Sequence, residues 1–121
     1  MKDFRDLEVW KESRNFRKEI RAAGKKFPKE EQFILTSQIV RSVSSITANI
    51  AEGFGRYHYQ ENIQYCRIAK GSLAETLDHL TVAQDEGYIS KEEFDKFYQQ
   101  YEVCIRLING YVNYLQKQKL K

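Results

Sequence analysis

The side chains able to do chemistry in this chain are few, and their spacing narrows what they can do. Gly53-Phe54-Gly55-Arg56 sets glycines beside a cation, as a phosphate-binding loop does. The run follows a helical pattern, lacks the GxxxxGK[ST] spacing and opens no strand-turn-helix unit, so the residues favour a helix stop. Glu75 and His79 stand four apart, close enough on a helix to share a metal ion. A carboxylate-bridged dimetal bundle needs Glu-x-x-His pairs with further inward glutamates, and the chain has two histidines and no such pair. His58 or His79 would have to activate Cys66 or Cys104 for thiol catalysis. Both cysteines fall on apolar helical stripes, and no loop offers an oxyanion site. Without a CxxC pair they read as buried thiols of a cytoplasmic protein. The residues therefore assign no catalytic group, no metal and no cofactor.

What remains is charge. Lys11, Arg14, Lys18, Arg21 and Lys25 recur at helical spacing and form a stripe about 80° wide on ideal geometry, with Arg17 beside it. Glu8, Glu12 and Glu19 gather on a separate strip. An ordinary solvated face alternates its charges, whereas this one segregates them. The six cations are the candidate nucleic-acid-binding set, with Arg41, Arg56 and Arg67 as candidates to extend it. The plain alternative is a face that serves solubility alone. Only Trp10, Tyr57 and Tyr59 are placed to stack on bases, so shape and charge would dominate over sequence readout. The formal net charge of +3 permits such binding without arguing for it.

Helices must position these residues, because no strand pattern competes. A chain of 121 residues, 41% hydrophobic, is one domain over residues 1–121 with enough material for a single core. It shows no signal peptide and no membrane span. Periodicity predicts helices over about 6–26, 31–53, 60–86 and 91–117, joined by short connections, hence an all-α antiparallel up-down-up-down four-helix bundle. Asp6 is the expected N-cap of the first helix, and Pro28, the only proline, follows its end. Val9, Ser13, Phe16, Ile20, Ala23 and Phe27 share its core face. Leu7 and Trp10 sit at the head of the basic stripe, either as an exposed contact patch or buried by a tilt of the helix.

The second helix is the centre of the pattern. Phe33 is expected to anchor its start, and Leu35, Ile39, Val43, Ile46 and Ile50 form its core stripe. Its other side carries Val40, Ser44, Thr47, Ala48 and Ala51 in place of Lys and Glu, which predicts cover on both sides. Asn49 and Glu52 would then need partners, and Gly53 is expected to stop the helix. In the third helix Ile63, Cys66, Ala69, Leu73, Leu77 and Leu80 face the core. Gly71 suggests a close neighbour there, and Gly87 ends the helix. Ser90 and Glu93 form a capping box for the fourth. Its stripe runs through Phe94, Phe97, Tyr98, Tyr101, Cys104, Ile105, Ile108, Val112 and Leu115, with a frayed QKQKLK tail.

The segments FRDLEVWKES, LTSQIVRSVSSITANIAEGFGR and YCRIAKGSLAETLDHL together resemble the bacterial four-helix-bundle proteins encoded within 23S rRNA intervening sequences. The resemblance covers almost the whole chain. It implies a four-helix protomer, a ring-shaped homopentamer and an association with nucleic acid, and it supplies no catalytic residue. The family is also similar in build to the accessory protein of diversity-generating retroelements, which works beside a reverse transcriptase and binds nucleic acid. Asn49, Glu52, Gly53 and Gly71 match and read as architectural. The expected function is a non-catalytic homo-oligomeric adaptor that binds RNA or DNA, with no membrane partner. The alternative is a structural or protein-interaction scaffold that binds no nucleic acid.

Overall fold

The computed structural model describes residues 1–121 and contains four helices and no strand: α1 (Glu8–Gly24), α2 (Leu35–Phe54), α3 (Tyr59–Asp85) and α4 (Lys91–Lys119). Short 3-10 turns at Phe4–Asp6 and Lys29–Glu31 precede α1 and α2. Each helix packs on two others, α1 on α2 and α4, α3 on α2 and α4, with no packing across the diagonals. This is the up-down-up-down bundle that short connections dictate.

The helix ends show where local chemistry departs from periodicity. Asp6 does not cap α1. Its carboxylate accepts the Lys2 backbone N–H at 2.7 Å, and Asp3 caps the 3-10 turn by accepting the Arg5 N–H at 2.9 Å. Leu7 takes the N-cap position without a side-chain bond and is buried. Phe33 does not anchor α2 either, being 86% exposed. The chain bends at Ile34 (φ −119°, ψ −98°), so helical register begins only at Leu35, and Phe33 is left outside the core-facing pattern. At the other end of α3, Gly87 (φ 79°) completes a Schellman stop, with Tyr88 N–H donating to Ala83 C=O at 2.8 Å and Gly87 N–H to Gln84 C=O at 3.0 Å. The capping box of α4 forms in both directions, at 3.1 and 2.9 Å. Its tail is not frayed: α4 continues to Lys119, whose ammonium donates to the Gln60 side-chain carbonyl at 2.6 Å.

The core follows the expected stripes. Phe16 and Ile20 from α1, Ile39, Val43, Ile46 and Ile50 from α2, Ile63, Cys66, Ala69, Leu73 and Leu80 from α3, and Cys104, Ile108 and Leu115 from α4 are buried. Each large member contributes about 1.5–3 kcal/mol through burial. Leu77 is only half-buried.

Beyond its core stripe, α2 finds polar partners within the protomer over part of its surface. Toward α3 it forms a hydroxyl seam, in which Ser42 and Thr76 share a hydrogen bond of 2.8 Å and Ser72 donates to Ser45 at 2.9 Å. Asn49 donates to the Ser45 carbonyl and hydroxyl at 2.8 and 2.9 Å. Toward α1, Thr47 is buried under Arg17. Ala48 is exposed and Glu52, also exposed, pairs with Arg56 at 3.2 Å, so the cover on α2 is incomplete.

Two glycines differ from expectation. Gly53 does not stop α2, which runs on to Phe54. It is a point of close approach to α3, where an added Cβ would lie 2.7 Å from Asn62 Oδ1 and 2.9 Å from Tyr65 Cβ. Gly71 is exposed, with nothing within 4 Å of such a Cβ, so no helix of this chain approaches it.

Candidate nucleic-acid interface

Charge segregation on α1 has a packing cause. Its acidic strip borders α4, where Glu19 pairs with Lys96 at 2.9 Å and accepts a hydrogen bond from Gln100. The Lys96 ammonium, with the Gln100 bond adding to it, holds the Glu19 carboxyl below its ordinary range. The basic side borders α2 and solvent. Lys11, Arg14, Lys18, Arg21 and Lys25 are exposed and Arg17 is half-buried. None of the six is paired with a carboxylate; the chain's ion pairs lie elsewhere.

The six are not equivalent. Arg17 donates to Thr47 Oγ1 at 2.8 Å and Arg21 to Ser44 Oγ at 3.0 Å, so both lean across the α1–α2 groove onto the small polar residues there. Arg14 lies over the Trp10 ring at 5.8 Å, and Phe4 meets the same ring edge-on at 5.2 Å. Trp10 is thus half-buried and Leu7 buried, so the exposed Leu7/Trp10 patch does not form. Lys11, Lys18 and Lys25 carry the free charges, with no side-chain partner at all. From Lys11 to Lys25 the stripe runs about 21 Å, fourteen residues at roughly 1.5 Å each.

The arginines considered as extensions stand apart. Arg56 is engaged by Glu52, by Glu61 at 3.7 Å and by the Tyr65 hydroxyl at 2.6 Å, with its guanidinium over the Tyr65 ring. Arg41 lines a polar groove with Ser45 and Glu75 between α2 and α3, and Arg67 is exposed on α3. His79 sits 3.2 Å from Glu75, with no third ligating side chain to form a metal cluster. Burial pushes the thiols of Cys66 and Cys104 up to about 11, and both are free.

Two features lay outside the sequence reading. Part of the α4 aromatic stripe faces outward: Phe94, Tyr98 and Tyr101 stack in a row with centroids 6.3 and 5.7 Å apart, and Tyr98 is 39% exposed. At the end of the bundle where α1 begins, an aromatic cleft of about 380 Å³ opens between the α2–α3 connection and α4. The i, i+3 pair Tyr111 and Tyr114, off the core stripe, is the signal that would have marked it.

Fold and surface together define an all-helical bundle that carries a one-sided basic helix. The model of the 23S rRNA-intervening sequence protein family matches residues 5–110, and the chain belongs to that family. It is similar to the crystal structure of a protein of unknown function from the S23 ribosomal protein family of Bacteroides thetaiotaomicron VPI-5482. The TM-score is 0.80 at 25% identity, over 86% of this chain and 97% of that one. No curated protein matches. Both the resemblance and the all-α bundle expected from the sequence are thereby met.

Proposed function

We propose that this protein is a non-catalytic, self-associating adaptor that holds RNA or DNA by its phosphate backbone along α1. One observation carries the reading: five exposed cations, free of carboxylate partners, spaced along about 21 Å of one helix. At roughly 3.4 Å of rise per nucleotide that length spans about six phosphates of one strand. Lysine ammonium groups are point charges, so they neutralise phosphate and release counterions without reading base edges. Arg17 and Arg21, held by Thr47 and Ser44, contribute fixed donors beside the unpaired lysines.

A single protomer offers few contacts, and repetition strengthens them. The family resemblance supplies the number five, giving a formal charge of +15 (5 × +3) and several stripes for one backbone. The second side of α2 argues for assembly only in part, since Thr47 is buried under Arg17 while Ala48 stays exposed. Further support for self-association comes from the half-exposed Phe94, Tyr98 and Tyr101 of α4. The same row favours the second reading, a scaffold whose partner is a protein. No helix is long and apolar enough to cross a membrane, and we place the protein in the cytoplasm, where its free thiols stay reduced.

The test is a filter-binding titration of a labelled RNA strand of about twenty nucleotides. It compares the parent with the triple variant Lys11→Glu, Lys18→Glu, Lys25→Glu. These three lysines are exposed and form no side-chain hydrogen bond or ion pair, so helicity is expected to be preserved while each protomer goes from +3 to −3 (three changes of −2), and circular dichroism and a sizing column check fold and assembly. The reading expects loss of retention in the variant; equal retention, or none by the parent, leaves the scaffold.

A further inference from the structure

The aromatic cleft lies one helical turn from the head of the basic stripe. Leu7 and Leu115, both buried, line it, and Phe54, Tyr57, Tyr59 and Tyr114 are among its walls. Tyr57 is 93% exposed, Tyr114 55% and Tyr59 45%. Rings left in water around an apolar floor are a costly arrangement for a bundle end that only needs to be closed. Tyr111 stacks on Tyr114 with the ring planes 10° apart and accepts a hydrogen bond from Asn62 Nδ2 at 3.1 Å. Its own hydroxyl proton has no protein acceptor and is available at the cleft. Burial raises Tyr111 above the ordinary phenol range, so that proton stays in place at neutral pH.

Apolar walls with a small number of convergent polar groups, in a volume near 380 Å³, suit one small planar ligand. The stripe decides which. Leu7 lines the cleft and Lys11 follows it by four residues, its backbone N–H bonded to the Leu7 carbonyl at 3.0 Å, so the stripe begins about one helical turn from the cleft. A chain that follows the stripe with its phosphates can turn its next base onto the tyrosines. A continuous duplex cannot do so without unpairing, whereas a single strand or a strand end does so freely.

We propose that this cleft is a stacking site for one unpaired nucleobase, with Tyr57 and Tyr114 as the stacking rings and the Tyr111 hydroxyl as a donor to the base edge. The proposal rests on the phosphate-binding reading of α1, and it makes single-stranded nucleic acid the preferred ligand.

The test uses a twelve-nucleotide single-stranded RNA carrying 2-aminopurine near one end, alongside a hairpin-closed duplex of similar charge. With the parent protein, 2-aminopurine fluorescence is expected to quench as the base stacks. Tyr57→Ala with Tyr114→Ala is expected to weaken single-strand binding by about 5- to 150-fold, the loss typical of base–aromatic stacking. Duplex affinity should not change, and Tyr57→Phe with Tyr114→Phe should retain both binding and quenching. Both tyrosines are exposed, so truncation leaves the core intact; circular dichroism confirms it. If the alanine pair binds single strands as the parent does, or 2-aminopurine is not quenched, the cleft is not a base site. Should the lysine triple variant still lose binding in that case, the stripe stands alone. A parent that retains neither RNA overturns the cleft and the stripe together.

Discussion

Alanine at Gly53 and alanine at Gly71 should move stability in opposite directions, although both replace a helical glycine. In a helix interior the exchange favours alanine by about 1 kcal/mol. At Gly71 nothing lies within 4 Å of the new Cβ, so Gly71→Ala is expected to stabilise the protomer by about 0.5–1 kcal/mol. At Gly53 the Cβ would sit 2.9 Å from Tyr65 Cβ and 3.1 Å from the Asn62 carbonyl oxygen. Neither atom can swing aside, so α2 and α3 must separate, an overpacking cost of about 1–3 kcal/mol. The third contact, Asn62 Oδ1 at 2.7 Å, belongs to a side chain that also bonds Tyr111 and Cys66, and disturbing it costs about 1 kcal/mol more. Set against the propensity gain, Gly53→Ala should destabilise by about 1–3 kcal/mol. Urea denaturation followed by circular dichroism measures both variants as midpoint shifts at constant m-value. The reasoning fails if Gly53→Ala is neutral or stabilising. A Gly71→Ala protomer that folds well but no longer assembles would instead place a second subunit over that bare stretch of α3.

Other expectations follow from single contacts. Ser90→Ala removes the capping hydroxyl of α4 and should cost about 0.5–2 kcal/mol, with the first-turn amides of α4 showing the largest gain in hydrogen exchange. Glu19 has a depressed pKa in the folded state, so its stabilisation is present above the ordinary value of 4.5 and is lost as pH falls below it. Half-exposed as the pair is, that contribution is at most about 1 kcal/mol. Glu19→Gln should therefore lower stability at neutral pH by up to about 1 kcal/mol and leave it unchanged at low pH, which flattens the acid limb of the stability curve. Cys66 and Cys104, buried with thiols near 11, should resist alkylation by iodoacetamide at pH 8 until denaturant is added. Rapid labelling of either would mean that the bundle opens far more readily than its packing implies.

Helix number, order and core faces were legible in the sequence because each stripe repeats over about four or more turns and short connections make successive helices antiparallel neighbours. What misled was local. Asp6 has the right chemistry for an N-cap, but Asp3 two residues before Arg5 nucleates a 3-10 turn that uses up the preceding residues. Gly53 precedes a loop and so resembles a stop, although its missing Cβ serves α3 packing. The fourth-helix aromatics all share one stripe on ideal geometry; two neighbouring helices cannot cover a stripe that wide, and Tyr98 is left outside. The candidate site was half legible. Spacing alone located the six cations, but which were free could not be read, because Arg17 and Arg21 find Thr47 and Ser44 across thirty and twenty-three residues of sequence. The cleft was less legible still, since its walls come from the segment before α1, the end of α2, the α2–α3 connection, the start of α3 and α4.

The salt dependence of RNA binding tests the central claim most directly. If the five exposed cations each neutralise one phosphate of a single strand, log K should fall against log salt concentration with a slope near −3.5 per protomer engaged, five times about 0.7. Replacing Lys11, Lys18 and Lys25 by glutamate should remove at least about two units of that slope and most of the affinity at about 50 mM salt. An absence of binding by the parent at that salt, or a triple variant with unchanged slope and affinity, would contradict the account and leave α1 with a solvated face.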